Sequence, residues 1–113
     1  MSKSLSKKET DQIFASNKSR IRNSGLEVLL APTHLDFGRI IVITPKAIGN
    51  APKRNQVRRR LKAIFYEDQL YTLKYDCAVI VRKAALNLEY EALKKILVSI
   101  LTYKHSISPV NPT

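Results

Sequence analysis

The chain has 113 residues, 44% hydrophobic and 26% charged. That length suits a single domain, residues 1–113, and is too short for two separate cores. The balance excludes a disordered, collagen-like or disulfide-built chain, and the unusual quantity is charge: 20 Lys and Arg against 9 Asp and Glu, a net +11.

In chain order, residues 1–5 read as a basic tail that frays. Ser6-Lys7-Lys8-Glu9 fits a capping box, in which serine oxygen and glutamate carboxylate each satisfy the other residue's amide. A short helix follows over 7–15, with Ile13 and Phe14 apolar. Residues 17–25 are polar and basic and read as a loop. Leu26–Ala31 suits a strand, although leucine-rich runs also suit helices. Residues 32–38 form a turn. Arg39–Thr44, β-branched and almost wholly apolar, predicts a strand buried on both faces.

Pro45 ends that strand, and a connection containing Gly49 leads to Pro52, which suits a first helical turn. The helix runs to about Asp68, with Val57, Leu61, Ile64 and Phe65 on one buried stripe. At 100° per residue, Asn55, Arg58, Arg59 and Lys62 share the adjoining side. Tyr75–Val81 predicts a strand ending in Arg82-Lys83. Glu89–Tyr103 predicts a second long helix with Leu93, Ile96, Leu97, Ile100 and Leu101 inward. The tail, 105–113, frays. The order is α-β-β-α-β-α. Helices on one side of a small sheet give an α/β two-layer sandwich of the α+β kind.

Charge is concentrated. Residues 37–66 hold no acid and eight bases: Arg39, Lys46, Lys53, Arg54, Arg58, Arg59, Arg60 and Lys62. An unbalanced block of this size attracts a polyanion, with counterion release making the binding salt-sensitive. Arginine's planar fork can grip phosphate bidentately, and a helix start offers backbone N–H groups to an anion. A solvated face is the bland reading, and the missing acids argue against it. A DNA recognition helix fits less well, because this helix lies inside a β-α-β unit.

The residues of a protein active site are not evident. His34 and His105 fall in a turn and a tail, outside any metal-binding pattern. Cys77 lies mid-strand and reads as a small buried hydrophobe. Alone, it forms no internal disulfide, as suits a reducing compartment. Glu67 and Asp68 diverge at a helix end and read as a solvated terminus. A metal-dependent nuclease needs convergent carboxylates. Phe14 reads first as core and second as a stacking platform for single-stranded bases. No apolar run reaches the roughly 18 residues of a membrane span, and the first residues lack a signal-peptide core. Together these predict a cytoplasmic protein with no membrane partner.

The stretch Pro45–Lys62, above all Arg54-Asn55-Gln56-Val57-Arg58-Arg59, resembles the Arg-Asn-Arg-x-Lys-Arg signature of the protein subunit of bacterial ribonuclease P. Leu5–Phe14 is similar to that family's first helix, and Asp76–Ala84 to its following strand. The resemblance implies a non-catalytic subunit of a ribonucleoprotein endoribonuclease. In that family the catalytic RNA, with bound magnesium, cuts precursor tRNA to give the mature 5′ end. It implies that Lys46, Lys53, Arg54, Asn55, Arg58, Arg59, Lys62, Arg82 and Lys83 meet RNA, and that Phe14 and Arg20 line a cleft for the 5′ leader. No metal-ligating residues are read from the sequence, and magnesium is expected on the RNA. The resemblance also implies a left-handed β-α-β crossover, where general chirality favours the right-handed form. Gln56, Pro52, Pro45, Ala47, Thr10 and Leu29 depart from the family pattern. The alternative reading is a small structural RNA-binding protein, such as a ribosomal component.

Overall fold

The computed structural model describes residues 5–16 and 19–107. It contains α1 (Lys7–Ser16), β1 (Ser19–Asn23), β2 (Leu26–Pro32), β3 (Ile40–Ile43), α2 (Ala51–Glu67), β4 (Tyr75–Val81) and α3 (Tyr90–Ile107), with short 3-10 turns at Lys46–Ile48, Leu70–Leu73 and Lys83–Ala85. The expected frayed tails fall largely outside the described residues, and α3 continues to Ile107.

The four strands form one sheet in the order β1-β2-β4-β3. β1 and β2 are antiparallel, as are β2 and β4, while β3 runs parallel to β4. The parallel pair joined through α2 is the expected β-α-β unit.

Side chains alternate between the two sheet faces. One face carries Leu26, Val28, Leu30, Ile40, Val42, Cys77, Val79 and Val81. It packs on the α2 stripe of Val57, Leu61, Ile64 and Phe65 and the α3 stripe of Leu93, Leu97, Ile100 and Leu101. This is the predicted two-layer sandwich, and Cys77 is a buried member of its core. The other face carries Leu29, Ala31 and Ala78, covered by Ile13 of α1 and by Leu5 just before that helix. The expectation of helices on one side therefore holds for α2 and α3 and not for α1. With so narrow an apolar stripe, α1 covers only part of a sheet face.

The capping box of α1 is formed: Glu9 N–H donates to Ser6 Oγ at 3.1 Å and Ser6 N–H to Glu9 Oε1 at 3.0 Å. The helix is anchored by a buried ion-pair knot. Arg39 is buried and donates Nη2 to Asp76 Oδ2 at 3.0 Å and Nη1 to Glu9 Oε2 at 2.8 Å. Its backbone N–H also reaches Asp76 Oδ1 at 3.1 Å.

Two expectations are corrected here. The stretch read as a loop contains β1, an edge strand of Ser-Arg-Ile-Arg-Asn. Among its described side chains, Ile21 alone packs against the core, so its alternation is nearly silent in the sequence. A two-residue turn closes the hairpin, with Ser24 at φ 50° and Gly25 at φ 95°, as the type I′ geometry requires. The carboxylates at the end of α2 are not simply solvated. Glu67 accepts from the Tyr90 hydroxyl at 2.7 Å, and Asp68 lies 3.6 Å from Lys94, so both tie α2 to α3. The Glu67 contact holds the Tyr90 hydroxyl up at about 12.

Candidate nucleic-acid interface

The parallel pairing of β3 and β4 brings the ends of both strands to one edge of the sheet. Three connections meet there: the 45–50 turn, the 82–89 segment and the β1–β2 hairpin. The Arg82 N–H donates to Gly25 O at 2.8 Å. A Cβ on Gly49 would stand 2.3 Å from Leu86 Cδ2, so a larger residue there would have to push the Leu86 side chain aside for the turn to lie against that segment. Lys53 Nζ donates to Asn87 Oδ1 at 2.7 Å.

Helix α2 starts at this edge. Asn50 is its N-cap, accepting from Lys53 N–H at 3.0 Å, with Pro52 in the first turn as expected. The predicted RNA-facing residues divide into two sets. Arg54 and Arg58 are half-buried and point back to the turn. Arg54 donates to Gly49 O at 3.1 Å and Thr44 O at 3.4 Å; Arg58 donates to Asn55 Oδ1 at 2.6 Å and to Thr44 Oγ1. Lys46, Arg59 and Lys62 are exposed. Among the described residues, no carboxylate forms a salt bridge with a cation of α2. Arg60 turns away and donates to Leu88 O at 3.2 Å.

The +8 count needs one correction. Arg39 is consumed by two carboxylates inside the protein and offers nothing to a polyanion. An arginine opening a β-branched run has no sequence sign that tells inward from outward.

Arg20 and Arg82 meet on the sheet face that α1 partly covers. Both reach Glu27, Arg20 Nε at 2.9 Å, and Arg22 Nε joins them at 3.5 Å. Lys83 is exposed beside them. Register sets Arg22, Glu27, Ile80 and Ile43 in one row across this face, and Arg20, Leu29, Ala78 and Ile41 in the next. Phe14 is 38% exposed, against 3% for Ile13, so Ile13 is the core residue of α1 and the core reading of Phe14 fails. The departures Thr10 and Leu29 lie buried between α1 and the sheet; Thr10 Oγ1 donates to Ser6 O at 2.9 Å. His34 lines a cleft between α1 and the end of β2, beside Gln12 and Arg39. The side chain of His105 lies outside the described residues.

Burial pushes the Cys77 thiol well above its ordinary range, as suits an inert core residue. No group of three or more His, Cys, Asp or Glu able to hold a metal occurs among the described residues. No helix there is long and apolar enough to cross a membrane.

These features define a class: a strongly basic α+β protein whose positive groups gather at one sheet edge and one helix face. The Ribonuclease P family matches residues 2–104, and the chain belongs to that family, the protein component of a ribonucleoprotein endoribonuclease. It is 28% identical over 96 residues to the ribonuclease P protein component of Streptococcus agalactiae, covering 85% of this chain and 87% of the relative. It is 32% identical over 100 residues to that of Halalkalibacterium halodurans, covering 80% and 84%. The ribonuclease P protein of Thermotoga maritima shares the fold with a TM-score of 0.78 at 21% identity, over 89% of this chain and 96% of that one. The Staphylococcus aureus ribonuclease P protein gives 0.76 at 21% identity, over 87% and 90%.

Proposed function

We propose that the chain is a single RNA-binding domain that docks on the ribonuclease P catalytic RNA through α2 and its preceding turn, and receives the 5′ leader of precursor tRNA beside α1. The reading rests chiefly on the carboxylate-free face of α2. Lys46, Arg59 and Lys62 offer it to phosphate, while Arg54 and Arg58 brace the turn that presents it. Lys53, Asn55 and Lys83 border the same surface, and Phe14, Arg20 and Arg82 serve the leader side. The RNA performs the cleavage, with magnesium on the RNA, in the cytoplasm. The protein's part is to neutralise phosphates that would otherwise repel one another and to hold the leader in place.

The test is reconstitution: protein, a bacterial ribonuclease P RNA and precursor tRNA at low magnesium. Correct 5′ processing should depend on the protein. The logarithm of the binding constant should fall against log salt with a slope of several units, if about five phosphates are neutralised. A flat salt response would remove the helix face from the interface. Cleavage by the protein alone, lost on mutating Glu67 or Asp68, would overturn the assignment of catalysis to RNA.

A further inference from the structure

The open half of the α1 face holds a charge cluster with more cations than burial of its carboxylate demands. Glu27 is 1% exposed, and Arg20, Arg22 and Arg82 all reach it. A buried carboxylate needs a partner, and one bidentate arginine is enough. Three converge here, which leaves two positive charges unmatched. None of the three is buried: Arg20 and Arg82 are 52% exposed and Arg22 is 72% exposed. Each guanidinium carries five N–H donors and commits only a part of them to Glu27.

The scaffold beneath the cluster is rigid. Glu27 lies on β2, hydrogen-bonded between β1 and β4, with Arg22 and Ile80 as its cross-strand neighbours. Arg82 is fixed at the backbone by the Gly25 carbonyl. The Arg82 hydrogen bond outweighs burial and holds the Glu27 carboxyl below its ordinary range, so it remains an anion at neutral pH.

We propose that Glu27 is a positioning residue that sets Arg20, Arg22 and Arg82 as a clamp for the phosphodiester backbone of single-stranded RNA, the leader strand running past α1. The proposal rests on the leader-binding reading above and adds to it Glu27 and Arg22. Placement favours the leader over the folded catalytic RNA. The clamp shares a sheet face with α1, Ile41, Ile43 and Ile80, whereas α2 packs on the opposite face.

The decisive variant is Glu27→Gln, because charge and positioning predict opposite signs. The substitution raises net charge by one, so a surface acting through charge alone binds RNA more tightly. A clamp that loses its centre binds the leader more weakly. Binding is measured with the protein assembled on ribonuclease P RNA, for a precursor tRNA with a leader and for the same tRNA without one. The expected result is a leader-dependent affinity ratio lowered by about five- to tenfold, with affinity for the catalytic RNA alone changed less than about twofold. A melt establishes that the variant is folded. Should it not fold, Glu27→Asp, which keeps the charge but draws the carboxylate back from the three guanidinium groups, decides by the same ratio: charge alone leaves it unchanged and the clamp lowers it. An unchanged or increased ratio overturns the clamp, and so does a loss confined to catalytic-RNA binding. A ratio of one in the unaltered protein would instead remove the leader reading itself, and the clamp with it.

Discussion

Two buried ions sit on the same face of the sheet, and their surroundings are reversed. Arg39 is a cation held by two carboxylates, Asp76 and Glu9; Glu27 is a carboxylate held by three arginines. The first knot is closed. Its cation is spent, its net charge is negative, and its effect is to fasten α1 to the sheet. The second is open, with a positive surplus and half-exposed arms. Both satisfy the demand that a buried charge be paired, yet only the second leaves charge for a ligand. Which arginines serve RNA therefore depends on what lies beneath each, not on how many the chain contains.

The most damaging way to test the contrast is Arg39→Met. It leaves Asp76 and Glu9 facing each other without their cation. We expect a loss of about 3–5 kcal/mol in denaturant unfolding, as for a broken buried pair. A change near zero would mean that the knot is not structural. Helix α2 repeats the contrast between inward and outward residues. Leu61→Ala empties part of the core and should cost about 2–5 kcal/mol of stability, with RNA binding following the folded fraction. Arg59→Ala should alter stability by less than about 0.5 kcal/mol and weaken catalytic-RNA binding by about 1–3 kcal/mol. The reverse pattern would mean that the two faces of the helix are exchanged.

The smallest effect concerns pH. The Ser6 backbone N–H first, and Arg39 next, lower the Glu9 carboxyl from 4.5 to about 2. A depressed carboxylate contributes stability above its unfolded value and loses it as pH falls through the folded one. The stability gap between the natural chain and Glu9→Gln should be full at neutral pH and close between 4.5 and about 2. A gap that persists to pH 2 would assign the contribution of Glu9 to packing instead.

What the sequence discloses follows from how strongly each element is patterned. Ser6 and Glu9 announce the start of α1; Ile40–Ile43, Tyr75–Val81 and the stripe from Val57 to Phe65 appear where expected because burial fixes their period. β1 escapes notice because an edge strand with one inward residue among its described side chains has almost no pattern; Ser24-Gly25 is the turn signal that could have exposed it. The outward set of α2 is legible from angle alone, whereas the inward bonds of Arg54 and Arg58 depend on Thr44 and Gly49, which only the tertiary fold brings near. Glu27 is the clearest omission. A carboxylate inside Leu-Glu-Val-Leu-Leu marks a buried charge that needs partners, and Arg20, Arg22 and Arg82 are brought to it only when β1 and β4 close on β2.

The position of β4 has a consequence for synthesis. It is the last strand to be made and lies between β2 and β3, so neither neighbour has its inner partner until residues 75–81 have left the ribosome. Until then the nascent chain carries the apolar strands β2 and β3 with unpaired backbone edges, a state open to misassociation. The basic turn and α2 emerge in that same interval, before the sheet that aligns them exists. A chain stopped before Tyr75 should thus yield no folded half. It should be a cationic, aggregation-prone fragment, and the competent surface should arise in a single late step as β4 joins the two parts.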